Sequence, residues 1–127
     1  MKKTLIVLSG LVIIVAIIFA FNTTSAGGLL SSTEFINKYK NTPDSILVDV
    51  RTPAEYEAGH IKDAINVDFE NVNFKSEVKK LDPSKIYFIY CRSGNRSGKS
   101  AVIMRESGIK NVYDLLGGVS NAPELLN

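Results

Sequence analysis

The sequence predicts an α/β domain of three layers: a mostly parallel sheet of four or five strands with helices on both faces. Three observations carry this expectation. Short apolar runs alternate with helical patterns through the last hundred residues, the order that builds parallel βαβ units. Helix-start signals stand immediately before the helical patterns. The run Ile86-Tyr87-Phe88-Ile89-Tyr90 is β-branched or aromatic throughout, as expected of a central strand covered on both faces.

The first residues stand apart. Lys2 and Lys3 precede an uncharged run from Leu5 to Phe21, followed by the small, polar stretch Asn22 to Gly28. Residues 1–26 read as a targeting segment, either a signal peptide cut after Ala26 or a membrane anchor, and 27–127 as the domain. As a helix the run spans about 25 Å, slightly short of a bilayer core of about 30 Å. Either reading leaves the lysines inside and places the domain outside the cytoplasm, in the periplasm or at the cell surface. Contact with a membrane is then confined to an uncleaved leader.

Along the domain, Ser31 and Glu34 form a capping box for a helix whose apolar face is Phe35, Ile36 and Tyr39. Asn41 to Asp44 ends it. Ile46 to Val50 is a buried strand with Asp49 inside it. Thr52-Pro53-Ala54-Glu55 starts a second helix, with proline at its first position and Gly59 as its stop. Ala64 to Val67 is a short strand. Phe74, Val78 and Leu81 mark a third helix at i, i+4, i+7. Strand Ile86–Tyr90 follows, then a polar loop from Cys91 to Arg96, a helix from Ser97 to Ser107, a strand from Val112 to Leu115 and a turn at Gly117-Gly118.

Charge and cysteine usage exclude several classes. Without Lys2 and Lys3 the chain carries 13 basic and 13 acidic residues. A balanced domain shows no general affinity for polyanions, so nucleic acid is not an expected partner. One cysteine and one histidine rule out an internal disulfide and leave no basis for a metal site. No cofactor is expected, and the domain reads as a monomer.

The chemistry concentrates at Cys91. Ligands in parallel α/β sheets bind beyond the carboxyl ends of the strands, and Cys91 directly follows the most apolar strand. The loop Arg92-Ser93-Gly94-Asn95-Arg96 leads into a helix. Such a loop turns N–H groups inward, and the helix N-terminus adds positive potential. Two of the four arginines, Arg92 and Arg96, flank the cysteine. These features favour a thiolate nucleophile in a pocket for an anionic substrate. The competing reading is a buried, inert cysteine, which the loop composition disfavours.

Cys91 to Ser97 resembles the active-site loop of single-domain rhodaneses, the thiosulfate sulfurtransferases. The similarity continues through Ala101, Gly108, Val112, Leu115 and Gly117-Gly118. Upstream, Val48 to Arg51 with Glu55, Gly59-His60-Ile61, Ala64 and Asn66 resembles the family's second signature. It covers about residues 30–120. The resemblance implies that Cys91 takes the outer sulfur of thiosulfate as a persulfide and passes it to cyanide or a thiol. Arg92, Ser93, Gly94, Asn95 and Arg96 then bind the donor. Asp49, Arg51 and Glu55 are expected as a polar network bracing the loop, with Arg51 alternatively lining the pocket mouth. His60 is expected to be structural. A tryptophan that the family often carries after the paired glycines is absent; Ala122 stands near its place.

Three other readings compete. Gly94 to Ser100 imitates a phosphate-binding loop but is one residue short between its glycines. A Cys-dependent phosphatase has five residues between Cys and Arg, and here there are four. A persulfide carrier without rapid turnover keeps the same cysteine and differs only in its acceptor.

Overall fold

The computed structural model describes residues 27–127. The elements are β1 (Gly27–Leu30), α1 (Ser32–Lys40), β2 (Ile46–Asp49), α2 (Pro53–Ala58), β3 (Ile65–Asn66), α3 (Phe74–Lys79), β4 (Tyr87–Tyr90), α4 (Asn95–Glu106) and β5 (Val112–Leu115). Two short 3₁₀ turns, Gly118–Asn121 and Pro123–Leu125, follow. The leader reading falls on residues outside the described ones. The five strands form one sheet in the order β1-β5-β4-β2-β3. Every pairing is parallel.

Local chemistry explains the helix starts. Ser31 Oγ accepts from the Glu34 amide and the Glu34 carboxylate accepts from the Ser31 amide, the reciprocal capping box. Thr52 Oγ1 accepts from the Glu55 amide, with Pro53 at the first helical position. The Glu55 carboxylate does not close the box; it accepts from the Thr52 hydroxyl and is otherwise engaged elsewhere.

Side-chain alternation along the strands builds a core on each face. Val48, Ile89 and Cys91 face Phe74, Val78, Ala101 and Met104, the apolar residues of α3 and α4. Leu47, Phe88, Tyr90 and Leu115 face Phe35 and Val119 on the other side. Strand β4 lies at the centre, and all four of its residues are fully buried. Phe88 anchors the second face: Phe35 meets it edge-on at 5.4 Å and Tyr113 stacks on it at 5.1 Å.

Three boundaries differ from the sequence reading. Gly27 and Gly28, read as part of the small, polar stretch after the apolar run, belong to the edge strand β1, paired to Val112 and Tyr113. A Cβ on Gly27 would stand 2.6 Å from the Val112 carbonyl oxygen, so glycine permits this close approach. The third strand shrinks to Ile65–Asn66. Asn66 Nδ2 instead ties the carbonyls of Asp49 and Arg51 at 3.0 and 2.8 Å. Helix α4 begins at Asn95, two residues before the expected start, because Gly94 turns the chain in the left-handed region at φ 98°.

Phe88→Ala removes the ring on which three aromatic side chains converge. A loss of about 3–5 kcal/mol in unfolding free energy is expected, read by urea denaturation.

Candidate active site

Cys91 follows β4 directly and is 1% exposed. Its Sγ accepts from the Gly94 amide at 3.0 Å, and its thiol donates to Ser97 Oγ at 3.3 Å. The left-handed turn at Gly94 aims that amide back at the sulfur. Helix α4 starts at the next residue, so the positive end of its dipole lies beside Sγ. Negative charge on sulfur is therefore met by one hydrogen bond and a helix terminus.

The loop is held from behind by the chain after β5. The Val119 amide donates to the Cys91 carbonyl at 3.0 Å, and the Ser120 amide to the Arg92 carbonyl at 2.8 Å. The Ser120 hydroxyl donates to the Arg92 carbonyl as well. Gly117 and Gly118 make this close approach with φ of 74° and 61°. A Cβ on Gly118 would collide with the carbonyls of Cys91 and Arg92. Ala122, near the place where the family often carries a tryptophan, is fully buried in this segment.

The expected anion-binding residues separate into two kinds. Arg92 is exposed and forms no ion pair among the described residues. Its side chain borders a cleft of about 410 Å³ with Arg51, Glu55, Val119, Ser120 and Pro123. Arg96 is differently placed. Its guanidinium donates to both Glu55 oxygens at 2.7 and 3.0 Å and approaches Glu70 at 3.4 Å. Arg96 holds the Glu55 carboxyl down at about 2 and links α4 to α2. Ser93 and Asn95 are exposed.

Asp49 and Arg51 form a buried pair at the end of β2. Nη2 of Arg51 donates to Asp49 Oδ2 at 2.7 Å and to the Gly59 carbonyl at 2.7 Å. Tyr90 donates to Asp49 Oδ2 at 2.9 Å and accepts from the Ile61 amide at 3.0 Å. Burial pushes the Tyr90 phenol well above its ordinary range. Arg51 thus both braces the strand ends and borders the cleft. His60 stacks on Tyr56 at 3.8 Å, with Nδ1 2.9 Å from the Tyr56 carbonyl, and Lys99 is a solvated helix residue. Among the described residues no group of three His, Cys, Asp or Glu side chains converges on a metal position.

Two residues absent from the expected site stand beside it. Ser97 is fully buried and touches the thiol; six residues after the cysteine, it falls in the first turn of the helix. Asp114 is 3% exposed in β5, and its Oδ1 has no hydrogen-bond partner. Burial raises its carboxyl to about 6. The signal was available: an acid inside a strand, like Asp49, calls for a partner.

A rhodanese-like domain family model matches residues 31–122. The tRNA uridine(34) hydroxylase of Pelagibacter ubique is 37% identical over 86 residues, 67% of this chain and 29% of that protein. That of Hamiltonella defensa is 35% identical over 103 residues, 78% of this chain and 29% of that protein. The chain thus spans under a third of these relatives. Among solved structures, a rhodanese-related protein from Thermoplasma volcanium superposes with a TM-score of 0.64 at 25% identity, covering 75% of this chain and 89% of that one. A rhodanese-like domain protein from Staphylococcus aureus gives 0.63 at 25% identity, covering 72% and 87%.

These relatives correct two expectations. Nucleic acid was excluded as a partner and the domain was placed outside the cytoplasm. Proteins sharing about a third of its residues are named for an action on tRNA, a nucleic acid of the cell interior, so neither statement stands. Balanced charge excludes only a strong, charge-driven affinity for polyanions. The apolar segment behind the second statement lies outside the described residues. Among those described, no helix is long and apolar enough to cross a membrane.

Two outcomes follow. Gly118→Ala is expected to displace the loop carbonyls, seen as faster amide exchange at residues 91–94 and as a thiol more open to a bulky disulfide reagent. Asp114→Asn is expected to stabilise the fold in a pH-dependent way. A carboxyl raised from about 3.9 to about 6 costs stability progressively as pH rises through that window, and the cost persists above it. The variant should gain about 1–2 kcal/mol at pH 7.5 and little at pH 4, read by denaturation at both values.

Proposed function

The chain belongs to the rhodanese-like domain family, and we propose that it is a sulfurtransferase in which Cys91 carries a sulfane sulfur as a persulfide. The observation that carries this reading is the Gly94 amide at 3.0 Å from Sγ, with the start of α4 behind it. This is a site for negative charge on sulfur, the charge that both the thiolate and the persulfide bear.

With thiosulfate as donor, the thiolate attacks the outer sulfur. The S–S bond of thiosulfate breaks and sulfite leaves with its electron pair. The product is Cys91–S–S⁻. Cyanide or a thiolate then attacks the terminal sulfur, the persulfide bond breaks, and the thiolate returns. Charge balances in each step, and no redox partner is needed. Arg92 is the cation free to orient an anionic donor at the cleft. Ser93, Gly94 and Asn95 shape the loop around the sulfur. Arg96 acts indirectly by fixing α4 against Glu55, and Asp49 with Arg51 fixes the end of β2. A persulfide carrier with a dedicated acceptor uses the same groups for the first step only.

A second reading is favoured by the names of the relatives. The matched segment is 29% of proteins called tRNA uridine(34) hydroxylases; on this reading Cys91 chemistry serves a reaction on tRNA.

The full chain, wild type and Cys91→Ser, is assayed for thiocyanate release from thiosulfate and cyanide, and tRNA incubated with each is digested for nucleoside mass analysis. Thiocyanate turnover that Cys91→Ser abolishes is the expected result, with the KM for thiosulfate raised about tenfold in Arg92→Ala. A Cys91-dependent change confined to tRNA nucleosides would establish the second reading. Equal turnover by the Cys91→Ser protein would contradict both.

A further inference from the structure

Asp114 is left unexplained by the sulfur-transfer scheme. It is 3% exposed, its Oδ1 has no hydrogen-bond partner, and it forms no ion pair among the described residues. Burial raises its carboxyl to about 6, so at neutral pH a buried carboxylate stands charged without a counterion. Such a group is costly, and the cost is relieved when positive charge or an N–H donor reaches it.

The side chain borders a cavity of about 300 Å³. Much of the wall is backbone: Gly28 of β1, Gly94 before α4, and Gly98 with Ala101 of α4. Gly98 leaves the carboxylate uncovered from the helix side, since even a Cβ there would lie 3.9 Å from Oδ2. Leu29, 63% exposed, adds an apolar edge. The cation on this cavity is Arg105 of α4. It is exposed, and its Nη2 donates to the Val112 carbonyl at 2.8 Å. That bond fixes the guanidinium in place, while no carboxylate of a described residue pairs with it. A buried carboxylate and an anchored guanidinium thus border one cavity without joining each other. The cavity shares no lining residue with the cleft beside Arg92, so an occupant here is a second molecule, separate from the sulfur donor.

We propose that this cavity binds a small zwitterion, an α-amino acid with a short apolar side chain, its ammonium on Asp114 and its carboxylate on Arg105. The chemistry of the two groups selects this class. A buried carboxylate accepts N–H donors and is matched best by positive charge. A guanidinium offers paired N–H donors to a carboxylate. A simple cation satisfies Asp114 but is repelled by Arg105, and a simple anion meets the reverse. A molecule carrying both charges is favoured by both. The volume lies at the lower limit of small-molecule pockets, which restricts the side chain to a short one, and Leu29 gives that side chain an apolar neighbour. The site does not depend on what Cys91 does, so it stands or falls apart from the sulfurtransferase reading.

The full chain, isotopically labelled, is titrated with L-alanine at about pH 7.5, where Asp114 is ionised. Ethylamine and propionate serve as singly charged probes, and the amide resonances of Gly28, Gly94 and Gly98 are followed. L-Alanine should shift them saturably, with a dissociation constant of about 1 mM or below. Ethylamine and propionate should each bind more weakly by about tenfold or more. Asp114→Asn, expected to be the more stable protein, and Arg105→Gln, a change at an exposed position, should each weaken L-alanine by about tenfold or more. Cys91→Ser should bind as the wild type does. No saturable shift by about 50 mM L-alanine would overturn the site. Undiminished affinity in either variant, or ethylamine or propionate binding as tightly as L-alanine, would overturn the two-point recognition. Loss of binding in Cys91→Ser would place the ligand at the sulfur instead and overturn the separate site.

Discussion

The left-handed turn at Gly94 is the constraint on which the rest of the site depends. It lies three residues beyond the thiol and one before the first residue of α4. It converts a strand running to its end at Tyr90 into a helix that returns over the same face, and it points an amide at the sulfur on the way. A side chain at φ 98° is strained, and the space a Cβ would enter is bounded by Gly117 at 3.5 Å. Gly94, in the loop before α4, and Gly117, in the turn after β5, thus meet beside the cysteine loop. The chain after β5 fixes the loop through the Cys91 and Arg92 carbonyls, so the site is a product of the tertiary fold as well as of the local motif.

Charge around the sulfur is arranged with more restraint than a count of arginines suggests. Arg96 is bound to Glu55 and Glu70, and Arg51 to Asp49. Arg92 alone of the three is left without an ion pair among the described residues. The paired arginines hold strand ends and helices together, tying β2 and α2 to the loop. What faces the sulfur is mostly uncharged and directional: one amide, one hydroxyl and the helix terminus. Donors of this kind stabilise charge where it appears on sulfur without fixing a competing counterion there.

Much of this was legible in the sequence because periodicity and capping are local. The capping box at Ser31, the proline start at Pro53, the central strand at Tyr87 to Tyr90 and the loop after Cys91 all have signatures within a few residues. Strand β1 was not legible, because two glycines carry no strand preference; its pairing with β5 comes from contacts more than eighty residues away. Arg96's pairing was not legible for the same reason. Its motif position points to the anion, but its partner Glu55 lies 41 residues upstream. Ser97 was hidden by its place in the first turn of a helix, whereas Asp114 stands as an acid inside an apolar strand. The strand acid was the readable one, since a buried carboxyl without a partner is costly.

The central claim is that Cys91 sulfur, held by the Gly94 amide, accepts a sulfur atom. Intact-mass spectrometry of the freshly reduced full chain after brief exposure to thiosulfate tests it most directly, with peptide mapping to locate the change. A gain of one sulfur atom at Cys91, removed by cyanide, is the result that this account requires. An unchanged mass with a demonstrably free thiol, or sulfur located at any other residue, would contradict it.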